Sequence, residues 1–188
     1  MARGGGVHAA ARRMSSGSTP QVNVAVVGGS GYTGAELIRM LAGHPYAKVR
    51  HPLSARASSL ARVLLSRYAR LELQVRVVTA NAFAGRALGD VYPHLAPFAR
   101  ANNLAPMCNM DEVDWSGIDV AFTCLPHAIT QQAVVALPRD LKIVDLSADF
   151  RLRDAAVYEK WYDTPHEAPE HLAEAGEKDA LCTYRYTR

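Results

Sequence analysis

The feature that most constrains this chain is a strand, a glycine turn and a helix placed end to end near its start. Val22-Asn23-Val24-Ala25-Val26-Val27 is a continuous β-branched run rather than an alternating one, the pattern of a strand buried on both faces of a parallel sheet. It passes directly into Gly28-Gly29-Ser30-Gly31-Tyr32-Thr33-Gly34. Ala35, Leu37, Ile38 and Leu41 follow at helical spacing, and the helix is expected to stop near Gly43-His44-Pro45, where proline forbids its continuation.

The three glycines spaced as Gly28-x-x-Gly31-x-x-Gly34 have separate physical tasks. Gly28 lets the chain leave the strand in a tight turn, Gly31 lets the backbone approach a pyrophosphate, and Gly34 lets the helix pack close to the strand. The unpaired N–H groups of the first helical turn, together with the helix dipole, would hold the phosphate charge. A glycine turn can be merely structural. Bracketed by a buried strand and a helix, this one predicts a dinucleotide site made of Gly28, Ser30, Gly31, Tyr32, Thr33 and Gly34. Such folds usually add an acid at the end of the second strand, about 20 residues on, for the ribose 2′-hydroxyl. Here the second strand is displaced to residues 73–79 and no carboxylate closes it. Thr79, Asn81 and Arg86 could instead donate to a 2′-phosphate, which favours NADP (NADPH) over NAD.

Strand-like runs return at residues 119–125 and 142–146, with a helix expected between them over about 129–137. Residues 84–95 are turn-rich and read as a loop. Alternating strands and helices predict an α/β fold, a doubly wound, Rossmann-like parallel sheet, in which ligands collect at the carboxyl ends of the strands. Four polar clusters stand at those ends: the glycine turn, Thr79-Ala80-Asn81, Leu125-Pro126-His127, and Ser147-Ala148-Asp149-Phe150-Arg151. Leu125, Pro126, His127 and Ser147 therefore join the cofactor-binding candidates, with Asp149 and Arg151 on the substrate side. His127 reads equally well as an ordinary loop residue, and Asp149 with Arg151 as a surface ion pair of little worth. Tyr158-Glu159-Lys160-Trp161-Tyr162 reads as packing before it reads as a cofactor box.

With 49% hydrophobic and 21% charged residues, the 188-residue chain can build a core and is not expected to be disordered throughout. No run of about 18 uncharged apolar residues is present, so no membrane helix is expected. Cys108, Cys124 and Cys182 are odd in number and scattered, which suits neither a disulfide framework nor a metal site and points to a reducing compartment. The formal net charge of +3 conceals +9 over residues 1–94 and −6 over residues 95–188. Part of the basic excess lies in residues 1–21, which hold three arginines, no acid and no apolar secretory core. That is transit-peptide composition, although an unstructured tail or an expression remnant would read alike. The rest lies near residues 51–70, within a stretch free of acids from Glu36 to Glu72. This stretch is expected to be a poorly integrated insertion, with Leu60, Val63 and Leu64 on one face of a short helix, rather than a partner-binding or membrane-surface helix. Its basic residues lack interleaved aromatics, which argues against a nucleic-acid partner.

Taken in order, several motifs resemble the N-terminal half of the N-acetyl-gamma-glutamyl-phosphate reductase family. They are residues 28–37, Ala84-Gly85 with Val91-Tyr92-Pro93-His94-Leu95, Leu125-Pro126-His127, the run Val144-Asp145-Leu146-Ser147-Ala148-Asp149-Phe150-Arg151-Leu152, and residues 158–162. Ser30-Gly31-Tyr32-Thr33-Gly34 sets that branch apart from aspartate-semialdehyde dehydrogenase within the semialdehyde dehydrogenase superfamily. The resemblance implies NADPH-dependent reduction of an acyl phosphate, N-acetylglutamyl phosphate, to an aldehyde in arginine biosynthesis. A cysteine thiolate would expel phosphate and a histidine would serve as acid and base. It also implies a chloroplast address, with the mitochondrion as the alternative, and leaves a homo-oligomer open.

The family's Asn-Pro-Gly-Cys-Tyr nucleophile segment does not occur here, and Cys182 has no Pro-Gly turn before it. Cys124 in a strand and Cys108 in a loop are expected to be inert, so no catalytic residue is assigned. The expected layout is a leader at 1–21, a cofactor-binding domain at 22–170 carrying the insertion, and an atypical tail at 171–188, truncated before a substrate domain. Two readings follow. One is the cofactor-binding half of a reductase; the other is a non-catalytic NADP-binding module that docks on an intact subunit.

Overall fold

A computed structural model describes residues 21–44 and 72–172, together with the backbone of 176–177 and 184–185. The expectations for the leader (all but Gln21), the insertion near 51–70, and Cys182 in the tail lie outside the described residues.

Four parallel strands form the body of the sheet. They are β1 (Gln21–Val27), β2 (Glu72–Thr79), β3 (Val120–Thr123) and β4 (Lys142–Asp145), in the spatial order β2-β1-β3-β4. Two short strands, β5 (Gly176–Glu177) and β6 (Tyr184–Arg185), extend the sheet antiparallel at the β4 edge, with Val144 opposite Arg185. The sheet therefore takes in backbone from beyond residue 170, where the sequence reading ended the domain. Leu172 is buried in the core as well, so the boundary at 170 falls too early.

Helix α1 (Tyr32–Gly43) follows β1. Residues 84–95, read as a loop, hold α2 (Leu88–Val91) and a 3-10 turn at Pro93–Leu95, and α3 (Ala96–Ala101) comes next. Helix α4 (Ile129–Ala136) joins β3 to β4, and α5 (Ala155–Tyr162) and α6 (Pro169–Leu172) come after β4.

Period-two alternation in β1 explains the two-sided core. Val24 and Val26 pack in one cluster with Ala35, Leu37, Ile38 and Leu41 of α1. Ala25, from the opposite face, packs in a second cluster with Ala121, Val134, Leu137 and Ile143. With helices covering both faces, the sheet is doubly wound, as the sequence pattern predicts. Burying each large α1 side chain contributes about 2 kcal/mol. The helix closes where expected: the His44 amide donates to the Leu41 carbonyl at 3.2 Å, just ahead of Pro45.

Strand register does the rest. Val27 lies opposite both Thr79 and Thr123, and Thr123 lies opposite Asp145. All four strands thus end level, and their following loops share one edge of the sheet. The chain moves from β1 out to β2 and then back past β1 to β3, so the strand order reverses between β1 and β3. In open α/β sheets this reversal opens a crevice at the carboxyl ends.

Candidate nucleotide site

At the end of β1 the backbone turns sharply. Gly28 has φ +81°, a conformation that favours glycine, and a Cβ there would lie 2.8 Å from the Cys124 carbonyl oxygen and from a Leu125 methyl. Amides of Gly28 and Gly29 donate to the Thr79 carbonyl at 3.1 and 2.9 Å, which ties the turn to β2. A Cβ on Gly34 would stand 2.5 Å from the Gly28 carbonyl oxygen and 2.6 Å from the Gly29 Cα, so helix and turn pack backbone to backbone. Gly31 differs: a Cβ there would meet nothing nearer than the Gly28 carbonyl oxygen at 3.5 Å. The protein's own packing demands glycine at 28 and 34 but not at 31.

Gly31 is also the N-cap of α1, with no side-chain cap and no acid in the first turn. Its own amide donates back to the Gly28 carbonyl at 3.1 Å, and the first helical bond runs from the Ala35 amide to the Gly31 carbonyl at 2.9 Å. The amides of Tyr32, Thr33 and Gly34 precede that bond, so the helix gives them no partner. Tyr32 is 92% exposed. Glu36, one turn on, is held in a two-pronged pair by Arg39, which pulls its carboxyl below the ordinary range. The turn is steadied from outside by Tyr92, whose hydroxyl donates to the Ser30 carbonyl at 2.7 Å. Such a bare N-terminus, with room at Gly31, fits a diphosphate.

Beside it, Thr79 is only 2% exposed, and its hydroxyl oxygen accepts from the Gly28 amide at 3.3 Å. Thr79 therefore builds the turn from behind rather than standing at the rim. Asn81 is exposed at the start of a 3-10 turn, and the Arg86 guanidinium lies 5.5 Å from the Phe83 ring centroid. Asn81 and Arg86 are thus the two polar candidates at the open end of β2.

Across the crevice, Leu125, Pro126 and His127 connect β3 to α4, with Leu125 half-buried and Pro126 and His127 exposed. The other candidates turn inward. The Ser147 hydroxyl donates to Asp145 Oδ2 at 2.7 Å and accepts from the Asp149 amide at 3.1 Å, so its proton is committed within the protein. Asp145, which also accepts from the Thr123 hydroxyl at 2.6 Å, has its carboxyl pushed up by burial against the opposing pull of these bonds.

Asp149, expected on the substrate side, is 0% exposed. Its Oδ1 accepts from the Ala128 amide at 2.9 Å and the Tyr158 hydroxyl at 2.7 Å, while Oδ2 has no partner. Arg151 is exposed, and its Nε donates to the Ser147 carbonyl at 2.9 Å. The surface ion-pair reading of Asp149 and Arg151 is therefore corrected: one is buried, and the other clips the loop backbone.

Sequence reasoning missed two residues around Asp149, Gln131 and His166. Gln131, fully buried on α4, donates to the Tyr158 hydroxyl at 3.0 Å and accepts from the Glu167 amide. A glutamine on the apolar side of a helix was the available signal. His166 accepts at Nδ1 from the Ala168 amide at 3.1 Å, which leaves Nε2–H to donate to the Asp149 carbonyl at 2.9 Å. The packing reading of Tyr158 holds for its buried ring, whose hydroxyl is pushed up by burial and by Asp149; Trp161, by contrast, is exposed.

Burial pushes the Cys124 thiol up to about 12 and raises Cys108 as well, so neither is a ready thiolate. Among the described residues, no group of three or more His, Cys, Asp or Glu could hold a metal ion, and no helix is long and apolar enough to cross a membrane.

The model of the semialdehyde dehydrogenase NAD-binding domain matches residues 23–63 and 55–175. N-acetyl-gamma-glutamyl-phosphate reductase of Rhodobacter capsulatus is 44% identical over 152 residues, 81% of this chain and 36% of that protein. A protein of Oryza sativa subsp. japonica named "Probable N-acetyl-gamma-glutamyl-phosphate reductase, chloroplastic" is 40% identical over 158 residues, 84% of this chain and 31% of that one. A protein of the same name from Arabidopsis thaliana is 40% identical over 149 residues, 79% of this chain and 30% of its own. The chain spans about a third of the length of the curated relatives it matches.

Proposed function

The chain belongs to the semialdehyde dehydrogenase NAD-binding domain family, and on that premise we propose that it is the cofactor-binding part of an N-acetyl-gamma-glutamyl-phosphate reductase. The nucleotide would be NADPH. Its diphosphate would rest on the amides of Tyr32, Thr33 and Gly34, with Gly31 leaving the room for its approach. The adenosine 2′-phosphate would meet Asn81 and Arg86, with no carboxylate at the end of β2 to repel it. When bound, the reduced nicotinamide supplies a hydride. This chain's residues would bind and orient it, with Leu125, Pro126 and His127 walling the crevice on the far side of β1.

In the whole enzyme the reaction would be reduction of N-acetylglutamyl phosphate to the semialdehyde, a step of arginine biosynthesis. The further length of the relatives would supply the substrate pocket and the thiolate. The acid-free leader and the chloroplastic names of the plant relatives support a plastid address. The relatives do not favour the alternative of a non-catalytic module docked on an intact subunit.

One observation carries this reading. Glycine at 31 is not required by the protein's own atoms, yet it lies at the bare end of α1. Titrating the purified chain with NADPH, NADH and 2′,5′-ADP tests it. NADPH should bind at least about tenfold more tightly than NADH, the worth of one charge-assisted contact to the 2′-phosphate. Gly31→Ala should weaken NADPH by about tenfold while moving stability by no more than about 1 kcal/mol, the scale of an N-cap change. A chain that binds none of the three ligands refutes the proposal.

A further inference from the structure

We propose that Asp149 is a positioning residue for the nicotinamide side of the crevice, acting through Ala128. This rests on the cofactor reading above and assigns the buried carboxylate a task within that site.

Ala128 has φ +67° and ψ −36°. For a residue with a Cβ this is a strained conformation that persists only where the surroundings hold it. The residue is the last one before α4 and the first after Leu125-Pro126-His127, so its backbone sets the direction in which those three residues leave the helix. The hydrogen bond from its amide to Asp149 Oδ1, at 2.9 Å, is the contact that holds it.

Asp149 is in turn held on every side but one. Its amide donates to the Ser147 hydroxyl, its carbonyl accepts from His166 Nε2, and Oδ1 also accepts from the Tyr158 hydroxyl. Oδ2 is buried and unpartnered. Burying a carboxylate with one oxygen unsatisfied is a poor way to stabilise a fold. Two donors converging on the other oxygen give it a sense as an anchor point at the start of α4, where the helix dipole also favours negative charge.

The turn so held lies against the glycine turn. A Cβ on Gly28 would lie 2.8 Å from both the Cys124 carbonyl oxygen and a Leu125 methyl. Any slack at Ala128 therefore reaches the wall of the crevice on the β3 side. In doubly wound sheets the β2 side takes the adenosine ribose, which leaves the β3 side to the nicotinamide half. Asp149 should then matter to NADPH and not to 2′,5′-ADP, which lacks that half.

The test uses the full chain and its variants, with both ligands titrated and thermal melts run alongside. Asp149→Ala should weaken NADPH by about tenfold, the loss of one charge-assisted hydrogen bond, and leave 2′,5′-ADP unchanged. Adding Ala128→Gly, which adopts positive φ without strain, should restore most of the NADPH affinity without restoring the melting temperature. If Asp149→Ala does not fold, the isosteric Asp149→Asn takes its place. Its weaker neutral acceptor should cost NADPH about threefold, again with 2′,5′-ADP unchanged and with recovery on Ala128→Gly. Unchanged NADPH affinity in the folded variants, equal weakening of both ligands, or no recovery with glycine at 128 would each overturn the proposal. Wild-type chain that fails to bind NADPH would instead overturn the cofactor reading, and this inference with it.

Discussion

The two walls of the crevice are built by opposite means. The wall after β1 is almost entirely backbone: Gly28 and Gly34 bring main chain against main chain, Gly31 leaves room, and the amides of Gly28 and Gly29 share the Thr79 carbonyl. The wall after β3 and β4 is a buried side-chain network in which Asp145, Ser147, Asp149, Gln131, Tyr158 and His166 pass hydrogen bonds between loops and helices. The first kind of wall offers free amides and room, which suits a diphosphate. The second has nearly all its polar capacity committed internally, which suits holding exposed neighbours such as His127 in place. Four residues expected to meet ligand directly, Thr79, Ser147, Asp149 and Arg151, turn out to bond to the protein itself.

If the contrast holds, variants of the two walls should fail differently. Gly34→Ala should have the largest effect, because its Cβ would overlap main-chain atoms that cannot swing aside. A loss of about 3 kcal/mol is expected, read as a lower urea midpoint. Tyr158→Phe should cost about 1.5 kcal/mol, since it removes a donor to buried Asp149 and leaves buried Gln131 without its acceptor. It should spare 2′,5′-ADP binding, which a calorimetric titration would establish.

Tyr92→Phe should cost about 1 kcal/mol or less by the loss of one half-buried hydrogen bond. Its signature is the reverse of that of Tyr158→Phe: a measurable weakening of 2′,5′-ADP, because Ser30 belongs to the phosphate turn. Equal ligand profiles for the two tyrosine variants would erase the distinction between the walls.

At neutral pH the smallest effect is that of Cys124, which is felt only in alkali: its thiol rises from an ordinary 9.0 to about 12 on folding. The unfolded chain then gives up this proton at lower pH than the folded one. Stability should therefore fall as pH climbs from about 9 toward 12, and be unaffected by this group below that window. Urea midpoints across that window should decline less steeply in Cys124→Ala than in the native chain.

Much of the fold was legible because its signals are local. Val22 to Val27 reads as a doubly buried strand from composition alone, the glycine spacing reads as a turn, and Pro45 ends the helix wherever it is placed. The expected strands at 73–79, 119–125 and 142–146 agree with β2, β3 and β4 to within one or two residues. The antiparallel β5 and β6 were not legible, since two residues carry no periodicity.

The candidate site divides along the same line. Free amides at the start of α1 follow from helix geometry and from the absence of a capping side chain, so residues 28–34 alone specify them. Whether a serine, an aspartate or a threonine faces ligand or protein is decided by its neighbours in space. Asp149 meets Ala128, Tyr158 and His166 only because parallel register levels the ends of β3 and β4 and the chain folds back after α5. Backbone conformation is written in short stretches of sequence, whereas the partner of a buried polar group is chosen by packing across tens of residues, and only the folded chain supplies it.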